Sequence, residues 1–191
     1  MADSNITKKA LANSLKELMT EVPFEKINVS QICERCDMNR KSFYYHFKDK
    51  YDLVNWIFDM EFLPVLTDEN INHSHTNEDH WHVIELVFQL FYENRTFYRS
   101  ALKIKGQNSF SDHFRECIHP ILKKRIEMIM NIPATDTFTV NFFSDAYLCA
   151  LERWLSERDC MPPEQIAHLL KHTIERFAIS VCNELEDVDC N

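Results

Sequence analysis

The sequence predicts an all-α protein, on three observations. Glycine occurs once in 191 residues, at Gly106, so the turn chemistry that many short strands require is missing. The six prolines, Pro23, Pro64, Pro120, Pro133, Pro162 and Pro163, fall mostly where helices should begin or end. Apolar residues recur at helical spacing from Leu11 to the C-terminal third. We expect about nine helices, arranged as a three-helix helix-turn-helix head in residues 1–65 and a larger C-terminal helical body in residues 66–191.

Each element has its own signal. Leu11, Leu15 and Leu18 place a first helix over Thr7 to Thr20, which Pro23-Phe24 separates from the next. Asn28 followed three residues later by Gln31 spells a capping box, and Val29, Ile32 and Cys33 give the short helix behind it an apolar face. Cys36-Asp37-Met38 breaks that run, and Asn39 caps a third helix. Asp49 caps a fourth, whose buried face is Leu53, Val54, Ile57, Phe58 and Phe62 and which should stop at Pro64. The polar, His- and Asn-rich stretch from Thr67 to Asp79 reads as a linker. Helices are then expected over Trp81 to Tyr92 and over Arg95 to Lys105, the second closed by Gly106. Three longer ones should follow: Ser109 to Met130, kinked near Pro120, then Phe138 to Glu157, then Pro163 to Glu186.

The segment from Asn28 to Lys50 carries the chemistry. Two capped helices stand three residues apart, and the second bears Arg40, Lys41, Ser42, Tyr44, Tyr45 and His46. This is the pattern of a helix-turn-helix that lays its second helix in the major groove. Arg40 and Lys41 occupy the first turn, from which side chains reach base edges, and arginine is the commonest reader of guanine O6 and N7. Tyr44 and Tyr45 can pack on sugars and thymine methyls, although one of the two is expected in the head core. Phe43 and Phe47 are expected to lock the helix to the head.

Asn28, the turn Cys36-Asp37-Met38, the string Phe43-Tyr44-Tyr45-His46-Phe47 and Lys50 together resemble the N-terminal domain of the TetR family of bacterial transcriptional regulators. The likeness covers roughly the first third of the chain. That family usually has glycine in the turn, where this chain has Asp37, a residue that tolerates left-handed backbone better than most. The resemblance implies backbone contacts from Asn28, Ser42, His46 and Lys50, with Lys50 aided by the positive end of the fourth helix, and a base contact from Ser30. It also implies a double-stranded DNA operator, a homodimer, repression as the usual outcome, and an unknown small-molecule effector held by the body. Farther on, Tyr92-Glu93-Asn94-Arg95-x-Phe97-Tyr98 resembles a subgroup that includes activators of dihydroxyacetone kinase operons, which respond through a protein partner. An activator with a protein partner is therefore the alternative to a repressor.

Charge agrees with a local DNA-binding patch. The chain carries −9, but residues 1–50 hold nine basic against seven acidic residues, +2, which leaves −11 on the remainder. A cationic patch on an acidic body favours site-specific over indiscriminate binding.

In the body, Phe62, Phe88, Phe91, Tyr92, Phe114 and Phe143 are candidates for an effector pocket or, equally, for a plain core. On the last two helices Tyr147, Leu151, Trp154, Leu170, Phe177 and Val181 read either as the core of the body or, as the resemblance favours, as a four-helix dimer interface. His168 and His172, at i and i+4, could share a metal but read as a buried interface pair.

Other chemistry is thinly signalled. Seven cysteines at irregular spacing form no secretory framework. Cys33-x-x-Cys36 lacks the second pair a zinc site needs, so core packing is expected, with thiol sensing as a lesser reading. His73, His75, His80 and His82 could hold a divalent metal but read as a solvated segment. A metal or thiol sensor is the third reading; no metal site and no cofactor are assigned. There is no Gly-rich phosphate loop and no HExxH, so no enzyme is expected. No apolar run reaches the roughly 18 residues that span a bilayer, and the N-terminus does not open a signal peptide, so a cytoplasmic protein with no membrane partner is expected.

Overall fold

The computed structural model describes residues 2–66, 77–106, 109–130 and 136–189. Among the described residues there are nine α-helices and no strand: α1 (Ala2–Glu21), α2 (Val29–Arg35), α3 (Arg40–His46), α4 (Lys50–Leu66), α5 (Asn77–Glu93), α6 (Arg95–Ala101), α7 (Phe110–Met130), α8 (Thr137–Ser156) and α9 (Pro163–Asp189), with a 3-10 turn at Phe24–Lys26. No described helix is long and apolar enough to cross a membrane.

The caps form where the sequence puts them. Asn28 accepts from the Gln31 amide at 3.1 Å while its own amide donates to Gln31 Oε1 at 2.9 Å, closing the capping box of α2. Asn39 Oδ1 accepts from the Ser42 amide at 2.9 Å to open α3. Asp49 Oδ1 accepts from the amides of Tyr51 and Asp52 at 2.8 and 2.9 Å, and Asp52 returns the favour to the Lys48 amide at 2.8 Å. A further cap, which the sequence reading did not single out, is Asp136, which opens α8 by accepting from the Thr139 amide and hydroxyl at 2.9 and 2.8 Å.

Four boundaries differ from expectation. α4 continues two residues beyond Pro64, because a proline in the last turn forfeits one backbone bond without forcing the chain to turn. α6 stops at Ala101 rather than Lys105. The tighter bonds Lys103 N to Ser100 O (3.2 Å) and Ile104 N to Ala101 O (3.0 Å) unwind the chain before Gly106, whose φ of 104° then suits glycine alone. α1 and α5 each begin earlier than predicted, at Ala2 and Asn77.

α4 is the element that joins head to body. It packs on α1 at one end and on α5 and α7 at the other, while α1 also touches α6. The core is correspondingly continuous: Leu11, Leu15, Ile32, Phe43 and Phe47 in the head lead through Phe58 and Phe62 of α4 to Phe91, Tyr98, Phe110 and Phe114 of the body. α8 lies against α7 and α6, and α9 against α5. The His73 and His75 part of the proposed linker lies outside the described residues, as do the side chains of His80, Phe177 and Val181.

A polar junction also crosses from head to body. Lys16 of α1 pairs with Glu61 of α4 and donates to Asn94 Oδ1, which precedes α6, at 2.9 Å. The Tyr98 hydroxyl donates to the other oxygen of Glu61 at 2.6 Å. Burial first, then the Glu61 charge, holds the Tyr98 phenol well above its ordinary pKa.

Candidate nucleic-acid interface

The turn between α2 and α3 depends on Asp37. Its φ is 54°, the left-handed conformation the sequence pattern calls for, and it lets the Met38 amide return to Cys33 O at 2.9 Å. A bidentate Arg35–Glu21 pair, at 2.8 and 2.7 Å, with Glu17 at 3.4 Å, clamps α2 to α1.

α3 is held from behind and open in front. Phe43 and Phe47 are buried, 5.7 Å apart, and Phe47 meets Trp56 of α4 edge-on at 5.6 Å. Burying each ring contributes about 1.5–3 kcal/mol, enough to fix the rotation of a helix only seven residues long. The opposite face, at positions 40, 41, 44 and 45, is therefore turned to solvent. Arg40 and Lys41 are exposed, Tyr44 is 51% exposed and Tyr45 83% exposed. Both tyrosines lie outside the head core, which corrects the expectation that one would be inside. The reason is the i, i+4 geometry: with Phe43 and Phe47 inward, neither neighbour can be. Arg40 stacks over Tyr44 with its guanidinium 5.8 Å from the ring, and His46, half-buried, meets Tyr45 edge-on at 4.9 Å.

The remaining residues proposed for DNA are placed as follows. Asn28 is exposed at the start of α2 and spends its carbonyl oxygen on the cap, and Ser30 is half-buried in the first turn. Ser42 sits on Asn39, its hydroxyl 3.3 Å from Asn39 Oδ1. Lys50 differs from what the resemblance implies. Its ammonium donates to the carbonyls of Phe24, Ile27 and Glu25 at 2.7, 2.7 and 3.3 Å and lies 4.4 Å from the centre of the Phe24 ring. Burial lowers its pKa. Lys50 thus clasps the 3-10 turn from the start of α4. Sequence reading could not see this, because the acceptors lie 23 to 26 residues away.

Cys33 is buried and its thiol is pushed up by that burial, while Cys36 Sγ points back to Ile32 O at 3.4 Å. Both pack in the head.

In the body, four of the six residues suggested for a pocket form one aromatic core. Phe62 meets Phe91 at 4.3 Å, Phe91 meets Phe114 at 6.0 Å, and Phe88 stands edge-on to Trp154 at 5.1 Å. Tyr92, half-buried, stacks on Trp154 at 6.1 Å. Phe143 is excluded from this group; it is exposed on α8 beside Phe142.

The proposed dimer face also needs correction. Leu151 and Trp154 are core residues of the single chain, and the Trp154 indole donates to Met161 O at 2.8 Å. Tyr147 and Leu170 are half-buried, Tyr147 lying 5.8 Å from the Phe88 ring. Because the apolar residues of α8 form a broad band, sequence alone could not tell which part of it α5, α6 and α7 would cover. The stripe left open is Phe138 (79% exposed), Phe142 (59%), Phe143, Ala146 and Cys149 on α8, with Leu169 on α9. His168 and His172, also exposed on the single chain, stack in parallel at 6.3 Å.

One cluster escaped the sequence reading, which assigned no metal site. Asp59 of α4 meets His113 and Cys117 of α7: His113 Nε2 lies 2.7 Å from Asp59 Oδ1, and Cys117 Sγ lies 3.5 Å from the same nitrogen and 3.8 Å from that oxygen. The Asp59 hydrogen bond, with a further one from Cys117, raises His113 to about 10. The readable signal was His113-x-x-x-Cys117, an i, i+4 pair; Asp59 lies 54 residues earlier.

A capped turn that presents one cationic, aromatic helix face to solvent, on a helical body, defines a helix-turn-helix regulator of transcription. Residues 13–57 match the family described as bacterial regulatory proteins, tetR family, and residues 79–176 match a transcriptional regulator C-terminal region. The chain belongs to the TetR family of DNA-binding transcriptional regulators. It is similar to the HTH-type dhaKLM operon transcriptional activator DhaS of Lactococcus lactis subsp. lactis (strain IL1403), with 30% identity over 104 residues, 54% of this chain and 53% of that one. The alignment thus spans about half the length of that relative. Among solved structures, a dihydroxyacetone kinase operon activator DhaS superposes with a TM-score of 0.63 at 22% identity, covering 89% of this chain and 97% of that one. A TetR transcriptional regulator from Streptococcus agalactiae 2603V gives 0.65 at 20%, covering 88% and 93%. NalD, the secondary repressor of the MexAB-OprM multidrug efflux pump in Pseudomonas aeruginosa, gives 0.65 at 19%, covering 91% and 96%. At these identities the structures speak to the fold.

Proposed function

We propose that the protein is a homodimeric repressor that binds a near-palindromic operator through α3 of each subunit and is controlled by a small-molecule effector. The observation that carries the reading is the solvent face of α3. Arg40, Lys41, Tyr44 and Tyr45 stand together there on a helix whose other face is locked into the head. Exposing two tyrosines beside two cations makes little sense for folding and good sense for sugar, phosphate and base contacts. Ser42, His46, Asn28 and Ser30 flank that face and would complete the contacts to the backbone and to one base.

The second copy would dock on the open apolar stripe of α8, which runs from Phe138 and Phe142 to Cys149, rather than on Leu151 and Trp154. Two such heads would enter major grooves about 34–36 Å apart. An effector would act by parting the Phe62, Phe91 and Phe114 rings, which touch both α4 and α7, and so shifting the head.

Activation is the second reading, favoured by the name of the Lactococcus lactis relative, a transcriptional activator. Enrichment from a random duplex library tests the shared core of both readings. A two-fold symmetric motif is expected, and an asymmetric motif or none would refute it. Transcription in vitro from the enriched site then separates repression from activation.

A further inference from the structure

We propose that Asp59, His113 and Cys117 form a binding site for a zinc-class divalent cation at the seam between α4 and α7. The three ligand atoms all lie within 4.8 Å of one another and are drawn from different chemical types, carboxylate oxygen, imidazole nitrogen and thiol sulfur. Zinc bonds of about 2.0–2.3 Å at tetrahedral angles place ligand atoms roughly 3.3–3.7 Å apart. The sulfur–nitrogen separation, 3.5 Å, already has that spacing, and the sulfur–oxygen one, 3.8 Å, lies just beyond it. Only the Asp59–His113 separation, 2.7 Å, has to open, which it does when the shared proton gives way to a larger ion.

The surroundings fit. His113 and Cys117 are one turn apart on α7, ahead of Pro120, so both side chains lie on one face of the helix. The Phe58 ring stands edge-on to the His113 imidazole at 6.0 Å and limits its rotation. His113 and Asp59 keep 22% and 35% of their side-chain surface open, so an ion can enter and a water can fill the fourth position. Coordination releases the Cys117 thiol proton and the His113 Nε2 proton to solvent. The cation then supplies the positive charge that Asp59 faces in its absence.

Such an ion would pin α4, the helix that carries the head, to α7 of the body. That consequence rests on the regulator reading above, whereas metal binding is measured on the protein alone and stands or falls separately.

The test is a titration of reduced, chelator-treated protein with Co2+, followed by displacement with Zn2+. One equivalent per chain with a thiolate-to-cobalt charge-transfer band is expected, abolished in Cys117→Ser and weakened at least about tenfold in His113→Gln. The same band should persist in a His168→Gln/His172→Gln variant. Cobalt binding without a thiolate band, or Cys117→Ser and His113→Gln variants that bind as tightly as the parent, would overturn the site. Should those variants fail to fold, alkylation of the parent decides. Zn2+ is expected to protect the Cys117 peptide from iodoacetamide, and unchanged modification there would refute the proposal.

Discussion

Replacing Lys50 by methionine removes the ammonium while keeping a stem of similar length, so the loss isolates its hydrogen bonds. In the parent it donates to three carbonyls, at 2.7, 2.7 and 3.3 Å, and sits over the Phe24 ring. Hydrogen bonds from a charged donor contribute about 1.5–3 kcal/mol each, but the three share one ammonium and the site is half open to water. A net loss of about 2–3 kcal/mol follows once the recovered hydration of the carbonyls and the relieved desolvation of the lysine are set against it. In a chain of this size, 1 kcal/mol moves Tm by about 2–4 °C, so a fall of about 4–12 °C is expected. The assay is thermal unfolding followed by circular dichroism, paired with the salt dependence of DNA binding well below the transition. If Lys50 is a clasp, Tm falls and the slope of log K against log salt is unchanged. A Tm within about 1 °C of the parent, with a slope reduced by about 0.9 per subunit, would refute the clasp and return Lys50 to the phosphates.

Other outcomes follow from the same geometry. Arg40→Ala should relax base preference at one position of each half-site, by about tenfold to a hundredfold, with no change in Tm; selection on the variant checks it. Tyr45→Ala, at the most exposed ring on α3, should weaken DNA binding and leave thermal unfolding unaltered, and parallel losses in both would contradict its place at the interface. Phe142→Glu should convert the dimer to a folded monomer by light scattering, whereas Leu151→Ala should lower stability by about 2–5 kcal/mol with assembly intact. The Tyr98 phenol, held above its ordinary value of 10.0, stays protonated in the fold while it ionises in the unfolded chain. Its contribution is therefore fully present below about pH 10 and lost as pH rises beyond it, and Tyr98→Phe should flatten the decline of Tm in that range.

What the sequence made legible was local. The Asn28–Gln31 box, Asn39 and Asp49 act within three or four residues, so their spacing alone fixes where α2, α3 and α4 begin. The left-handed Asp37 was readable for the same reason. Side chains that depend on distant neighbours were not. Lys50 found carbonyls on the far side of α2, and Trp154 and Leu151 turned inward because α5, α6 and α7 cover that side of α8. Both tyrosines of α3 turned outward because Phe43 and Phe47 turned inward, a choice made by packing against α4 rather than by composition. The Asp59–His113–Cys117 cluster required α4 and α7 to be brought together before it existed at all.

The most direct test of the central claim, that α3 reads DNA from the major groove, is a dimethyl sulfate footprint on an enriched duplex. Methylation at guanine N7 reports on the major groove, and at adenine N3 on the minor groove. Protection of guanines in two half-sites about one helical turn apart is predicted, with protection lost at a single symmetric pair of guanines in Arg40→Ala. Protection confined to adenine N3, or one unpaired cluster that Arg40→Ala leaves unchanged, would contradict it.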